Sequence, residues 1–319
     1  MSGVSDSRQA WLSSLASQLP SGGWRTRFAP APTGYLHLGH LVNAVYVWGI
    51  ARTFGGTVVL RVEDHDRTRC RPEFEVALLD DLDWLGFRPD EAPTASFREQ
   101  PSGHSHRQSD NAARYAHALS GLEAQGLVYA CRCTRRLIAE QSPHRAGEEP
   151  RYPGTCRESA VDPQSTLARR VRVASGAEPF ADLRLGTFAD DPSQQCGDVL
   201  VRDRHGGWTY QFAVTVDDAE HEIDVIIRGE DLLSSTARQR RLAQLLGRTT
   251  PPSVLHHPLL VHEGGAKLSK ANGDTALRTR RLSGISAEAL IGEAVFLAGL
   301  ASSPAPRRAD DVAELFRPR

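Results

Sequence analysis

The stretch from Trp24 to Gly86 constrains the fold more than any other part of the chain. TRFA reads as a short strand, PAPTGYLHLG as a Pro/Gly loop, and HLVNAVYVWGIARTFG as a helix closed by Gly55 and Gly56. TVVLRVED follows as a buried strand whose charged residues arrive at its carboxyl end. FEVALLDDLDWLGF is then an amphipathic helix with Phe74, Ala77, Leu78, Leu82 and Leu85 on one side. Strand, crossover helix and strand make a βαβ unit, which predicts an α/β fold with a Rossmann-like, doubly wound parallel sheet. Ligands of such sheets bind beyond the carboxyl ends of the strands, where Glu63 and Asp64 stand.

The remaining segments attach to that unit. Residues 1–23 carry a short helical pattern (Trp11, Leu12, Leu15, Leu19) and read as an N-terminal extension ending in Pro20-Ser21-Gly22-Gly23. Residues 24–260 form the expected Rossmann-type catalytic domain, interrupted by an insert over about 105–190. Within the insert a helix over 109–125 leads into LVYACRC, and residues 134–165, rich in Pro, Gly, Arg and Glu, read as loop-dominated. ARRVRV, WTYQFAVTVDDAE and IDVIIRG read as strands, and DLLSSTARQRRLAQLLG as a helix. Residues 261–319 hold a glycine-flanked loop, HEGGAKLSKANG, and a short helical C-terminal segment.

Two elements carry recognisable chemistry. In RFAPAPTGYLHLGH, His37 and His40 open a helix directly after the Pro/Gly loop, with Gly39 between them. A helix start offers free N–H groups and partial positive charge, so it attracts phosphate. The histidines add donors, and Gly39 lets a planar base approach. The second element is KLSK. Of 38 basic residues only Lys267 and Lys270 are lysine, and they lie three apart. Two compact ammonium groups in a mobile loop suit closure over a triphosphate and stabilisation of the charge that develops as pyrophosphate leaves. Alone, each element has an ordinary reading, a helix cap and an exposed basic turn. Together they are the paired signature of class I aminoacyl-tRNA synthetases and related nucleotidyl transferases.

RFAPAPTGYLHLGH, LRVEDHDRTR, WTYQFAVTVDD, IIRGEDLL and KLSKANG follow in family order over about residues 24–275 and resemble the catalytic part of glutamyl-tRNA synthetases. About fifty residues follow Lys270, so no helical anticodon-binding domain is expected, and the chain resembles the truncated branch of that family, the glutamyl-queuosine tRNA(Asp) synthetases. The resemblance implies ATP-dependent activation of L-glutamate without tRNA, then transfer to the queuosine base in the anticodon loop of tRNA(Asp). It implies catalytic roles for His37, His40, Lys267 and Lys270, and ATP contacts from His37, Gly39, His40 and Lys270, with Mg²⁺ accompanying ATP. Glutamate contacts are implied for Arg27, Phe28, Ala29, Pro30, Ala31, Glu63, Tyr210 and Arg228. Guanidinium matches a carboxylate bidentately, Glu63 suits the ammonium, and the Tyr210 hydroxyl suits the side-chain pocket. Ala31 stands where the family usually has serine, and Ala271 replaces the last serine of the lysine motif. A compact glutamyl-tRNA synthetase charging tRNA(Glu), or an adenylyl transferase of the same fold, stands as the alternative.

Cys131, Cys133 and Cys156 offer three thiolates, which favour one structural zinc once a fourth ligand is found. His144 and Tyr152 both lie near enough in sequence. The arrangement YPGTC resembles the truncated branch, which implies Tyr152. Composition excludes other classes. A formal charge of −1 removes a global basic excess, leaving tRNA contact to local arginines such as Arg132, Arg135, Arg136 and the RQRR run at 238–241. Five cysteines, an odd number, do not describe a disulfide scaffold and fit a reducing cytoplasm. The longest apolar stretches, 41–50 and 290–300, are too short to cross a bilayer, and the N-terminus lacks an export signal. A cytoplasmic monomer without membrane attachment is expected.

Overall fold

The parallel ladder begins where the βαβ unit places it. In the computed structural model, which describes residues 2–142, 149–158, 167–260 and 276–318, β1 (Trp24–Phe28) pairs in parallel with β2 (Gly56–Leu60) from Trp24↔Gly56 to Phe28↔Leu60. Helix α1 is Ser2–Gln18 and the crossover α2 is Leu38–Phe54, ended by Gly55 in the left-handed region at φ 74°. Then come α3 (Pro72–Leu85), α4 (Thr94–Glu99) and α5 (Ala112–Ala124), followed by β3 (Val128–Cys131) and α6 (Arg135–Gln141). The chain continues as β4 (Ala168–Val171), β5 (Glu178–Asp182), β6 (Gly186–Asp190), α7 (Pro192–Gln195) and β7 (Val199–Arg202). Last are α8 (Tyr210–Glu220), β8 (Val225–Gly229), α9 (Thr236–Leu245), β9 (Ser253–His257), α10 (Leu277–Leu282) and α11 (Ala287–Leu297).

The sheets run β1-β2, β3-β4-β7 and β6-β5-β9-β8. β8 and β9 are parallel, β5 joins β9 in parallel at Asp182↔Val254, and β6 turns back antiparallel on β5. The parallel halves meet where Asp224 receives the Arg25 N–H on its carboxylate at 2.8 Å and donates its own N–H to the Arg25 carbonyl at 2.9 Å. That seam lies at the start of β8. At the carboxyl ends Phe28 of β1 and Arg228 and Gly229 of β8 line one cleft, at the switch point where such sheets bind ligands.

Two readings change. WTYQFAVTVDDAE contributes helix α8, not a strand. Its Phe212, Ala213, Val214, Val216, Asp217 and Asp218 are all buried, so no polar face marks the helical period. β2 ends at Leu60, four residues short of Asp64. The extended chain nevertheless goes on, with Arg61 donating to the Phe28 carbonyl (3.0 Å) and Glu63 to that of Pro30 (3.1 Å). Residues of the N-terminal extension are built into the main core: Leu12, Leu15 and Leu19 are buried, the Trp11 indole donates to Leu183 O, and Arg8 reaches Leu300 O and Leu315 O. Among the described residues no helix is long and apolar enough to cross a membrane.

Candidate active site

A cleft of about 770 Å³ opens between the carboxyl ends of β1 and β8. Arg27, Phe28, Ala29, Pro30, Ala31, Glu63, Tyr210 and Arg228 all line it, as do His37, Gly39 and His40. Lys267 and Lys270 lie outside the described residues. The placements follow from local structure. Arg27 and Phe28 end β1, and the backbone bond from Glu63 to Pro30 sets the APA segment against Glu63. Tyr210 opens α8, and Arg228 sits one residue before the end of β8.

The nucleotide end is a reciprocal cap. His37 Nδ1 accepts the Gly39 N–H at 3.1 Å, and His40 Nδ1 accepts the His37 N–H at 3.2 Å, with the rings 4.0 Å apart. Each neutral imidazole therefore carries its proton on Nε2, as a donor. A Cβ on Gly39 would meet His37 Cε1 at 2.9 Å, so any side chain there pushes against the cap.

The amino-acid end is built from buried charge. Arg27 Nε donates to Asp218 Oδ1 (3.1 Å), and Arg61 donates to the same oxygen (2.8 Å) and to Glu63 Oε1 (3.0 Å). Burial alone would raise the Asp218 carboxyl, but Arg27 and Arg61 hold it down at about 2. Arg228 is 4% exposed and donates to three neutral acceptors: His256 Nε2 (3.0 Å), Gln239 Oε1 (2.6 Å) and Thr236 Oγ1 (2.9 Å). Among the described residues no carboxylate forms an ion pair with it. Burial pushes its guanidinium below the ordinary value. A buried cation surrounded by neutral groups is a receptor for an anion.

Sequence reasoning missed Arg61, Asp218, Asp182, His256, Thr236 and Gln239. The only local signals were the two carboxylates of VDD inside an apolar run and the histidine pair of VLHHP. Asp64, by contrast, is structural, accepting from Ser109 N (2.8 Å) and Arg67 (2.9 Å). The RQRR arginines point to structure too: Arg238 pairs with Glu149, and Arg240 and Arg241 with Glu178, whereas Arg132, Arg135 and Arg136 remain exposed.

Cys131, Cys133 and Cys156 converge, their sulfurs all within 4.8 Å of one another, and could hold a metal ion. Tyr152 Oη lies 3.5 Å from Cys131 Sγ and accepts the Cys156 N–H at 2.8 Å. His144 lies outside the described residues. Burial and the adjoining Cys156 sulfur push the Cys133 thiol up to about 12. Gly197 (φ 70°) is required beneath this site, since a Cβ there would meet the Tyr152 carbonyl oxygen at 2.2 Å.

Residues 24–301 match the family of class I tRNA synthetases (E and Q), catalytic domain. The chain is 43% identical over 256 residues to a glutamyl-Q tRNA(Asp) synthetase of Bordetella bronchiseptica, covering 79% of this chain and 76% of that one. It is 39% identical over 305 residues to the protein of that name from Symbiobacterium thermophilum, covering 91% of each. The chain belongs to the glutamyl-Q tRNA(Asp) synthetase family, within the class I tRNA synthetases. Solved glutamate tRNA ligases have the same fold. One from Elizabethkingia meningosepticum, solved with its amino acid, aligns with a TM-score of 0.73 at 26% identity over 92% of this chain. Another, from Elizabethkingia anophelis, aligns at 0.74. The chain spans 65% and 66% of those two chains. As a class I synthetase of this family it is a ligase, and its parallel sheet is the class I catalytic fold.

Proposed function

We propose that this ligase activates L-glutamate with ATP in the absence of tRNA and transfers it to the queuosine base in the anticodon loop of tRNA(Asp). The carrying observation is Arg228, a buried cation among neutral acceptors, in one cleft with the capped helix start of His37 and His40. That cleft takes an acidic amino acid at one end and a triphosphate at the other. The choice of acceptor rests on relatives named for tRNA(Asp) and its modified base.

Arg228 and Arg27 receive the substrate carboxylates, Glu63 the ammonium, and Tyr210 closes the side-chain pocket beside the backbone of Phe28 to Ala31. His37 and His40 donate from Nε2 to phosphate oxygens, and Gly39 leaves room for the nucleotide. Lys267 and Lys270 stabilise the charge that develops as pyrophosphate leaves. Mg²⁺ accompanying ATP would supply further screening of the triphosphate charge. An oxygen of the glutamate α-carboxylate attacks the α-phosphorus, the bond to the β-phosphate oxygen breaks, and pyrophosphate leaves. A ribose-like hydroxyl of the modified base then attacks the activated carbonyl and releases AMP. The protein's part is positioning and charge stabilisation.

Zinc fits the thiol cluster, with Tyr152 as fourth ligand, and would supply shape to the insert. One zinc per chain is expected, lost in Cys156→Ser and weakened in Tyr152→Phe. The protein acts as a cytoplasmic monomer. The deciding experiment is charging of total tRNA from cells with and without queuosine, using labelled glutamate. Labelling of the first pool alone supports the reading, as does glutamate-dependent exchange of pyrophosphate into ATP without RNA. A strict RNA requirement, or labelling of tRNA(Glu) from both pools, replaces it with a compact glutamyl-tRNA synthetase.

A further inference from the structure

The group that orients Arg228 reaches the site from inside the expected insert. Asp182, the last residue of β5, accepts the His256 backbone N–H (3.0 Å) and approaches its ring Nδ1 (2.6 Å) with Oδ2. Its Oδ1 accepts the N–H groups of Arg184 (2.9 Å) and Leu185 (2.8 Å). Three backbone N–H groups converge on this buried carboxylate, whose oxygens offer the ring an acceptor, so the ring proton of His256 sits on Nδ1. The lone pair on Nε2 then faces Arg228 Nε–H at 3.0 Å. Asp182 and His256 are 3% and 0% exposed.

We propose that His256, fixed by Asp182, is a positioning residue for substrate selection: it orients the Arg228 fork with a neutral acceptor and leaves the guanidinium charge to an anionic amino-acid side chain. The inference rests on the glutamate reading above and deepens it. The alternative architecture explains why a ring stands between the two charges. A carboxylate placed directly on Arg228 would orient it equally well but neutralise it. Glutamine, which offers an amide of the same shape, would then compete with glutamate. The imidazole passes on orientation without passing on charge. Gln239 and Thr236 follow the same rule from α9, and Gln239 is itself oriented by donating to Gln211 Oε1 at 2.8 Å. Burial favours the neutral ring. The charged groups around it are Asp182 and Arg184 from the β5 side and Arg228 from β8, with Arg184 donating to the His256 carbonyl (2.6 Å).

The test is nitrogen-15 NMR of the full-length protein with labelled histidine, taking as His256 the signal that vanishes in His256→Gln. A protonated Nδ1 and an unprotonated Nε2 that shifts when glutamate is added are expected. Asp182→Asn should move the proton to Nε2, setting N–H against N–H. The KM for glutamate should then rise about tenfold or more, as for loss of a hydrogen bond to a charged group. The KM for ATP should stay within about twofold, and the preference for glutamate over glutamine should narrow by a similar factor. A wild-type ring protonated on Nε2 or on both nitrogens overturns the proposal, even if the variant does not fold. So does an Asp182→Asn protein with the switched proton but unchanged discrimination, or with both KM values raised in parallel. Wild-type protein that shows no glutamate-dependent exchange refutes the glutamate reading itself. A wrong tautomer in protein that does exchange refutes only the relay.

Discussion

Arg27 and Arg228 face the same cleft from adjoining strands, yet their charges end differently. Arg27 shares Asp218 with Arg61, and Arg61 also takes Glu63, so two cations and two carboxylates close a locally neutral cluster. Among the described residues Arg228 is held by neutral groups: the imidazole of His256, the amide of Gln239 and the hydroxyls of Thr236 and Tyr210. The first arrangement ties β1 to α8 and to the residues after β2. The second leaves a charge in reserve. Residue type alone does not distinguish an arginine that meets the substrate with its charge already matched from one that meets it with its charge in reserve; the sign of its neighbours does.

The largest effect falls on the neutral cluster. Asp218→Asn leaves two guanidiniums buried with less countercharge and should cost about 3–5 kcal/mol of stability, read by denaturant unfolding. Arg228→Gln removes a buried cation and leaves polar partners behind, so the same measurement should move far less. Equal losses would break the comparison, because Arg228 would then be a structural ion in disguise. The next effect is functional. Arg228→Gln should raise the KM for glutamate in pyrophosphate exchange about 100-fold, with the KM for ATP little changed, because the substrate carboxylate loses a buried charged partner. A glutamate KM within threefold of wild type would move recognition to Arg27.

Much of this was legible in the sequence, and the rest had physical reasons to be hidden. The β1–α2–β2 unit declares itself because Gly55 stops the helix and because α2 begins at a paired histidine cap. The candidate cleft residues among those described come together because they sit at strand ends and helix starts, and topology decides where those ends go. Helix α8 was hidden because both its faces are buried, which erases periodicity and leaves a β-branched, aromatic run. The partners of the arginines were hidden for another reason. Arg61 meets Asp218 across 157 residues and His256 meets Asp182 across 74, and no local pattern encodes such pairs. The partners of the RQRR run were hidden likewise: Arg238 pairs with Glu149, and Arg240 and Arg241 with Glu178, all far away in sequence.

Acid separates the two regions once more. His257 lines the Arg228 side of the cleft, stacked on Tyr46, with Asn43 donating to its Nε2 (3.1 Å). Burial lowers its pKa from 6.5 to about 4. The unfolded chain therefore binds a proton between pH 6.5 and 4 that the folded chain refuses, so this histidine's contribution is complete above 6.5 and drains away as pH falls. Asp218 is also depressed, from 3.8 to about 2, but its contribution is complete above about 4 and is lost only below it. Between pH 6.5 and 4.5 each refused proton adds a slope of about 1.4 kcal/mol per pH unit. His257→Asn should flatten the stability–pH curve in that interval by about one such slope, while Asp218→Asn lowers the whole curve and leaves its slope alone. The reverse pattern, with the slope following Asp218, would mean that the carboxylate titrates near neutrality and that the arginine cluster is not the closed, neutral assembly its distances describe.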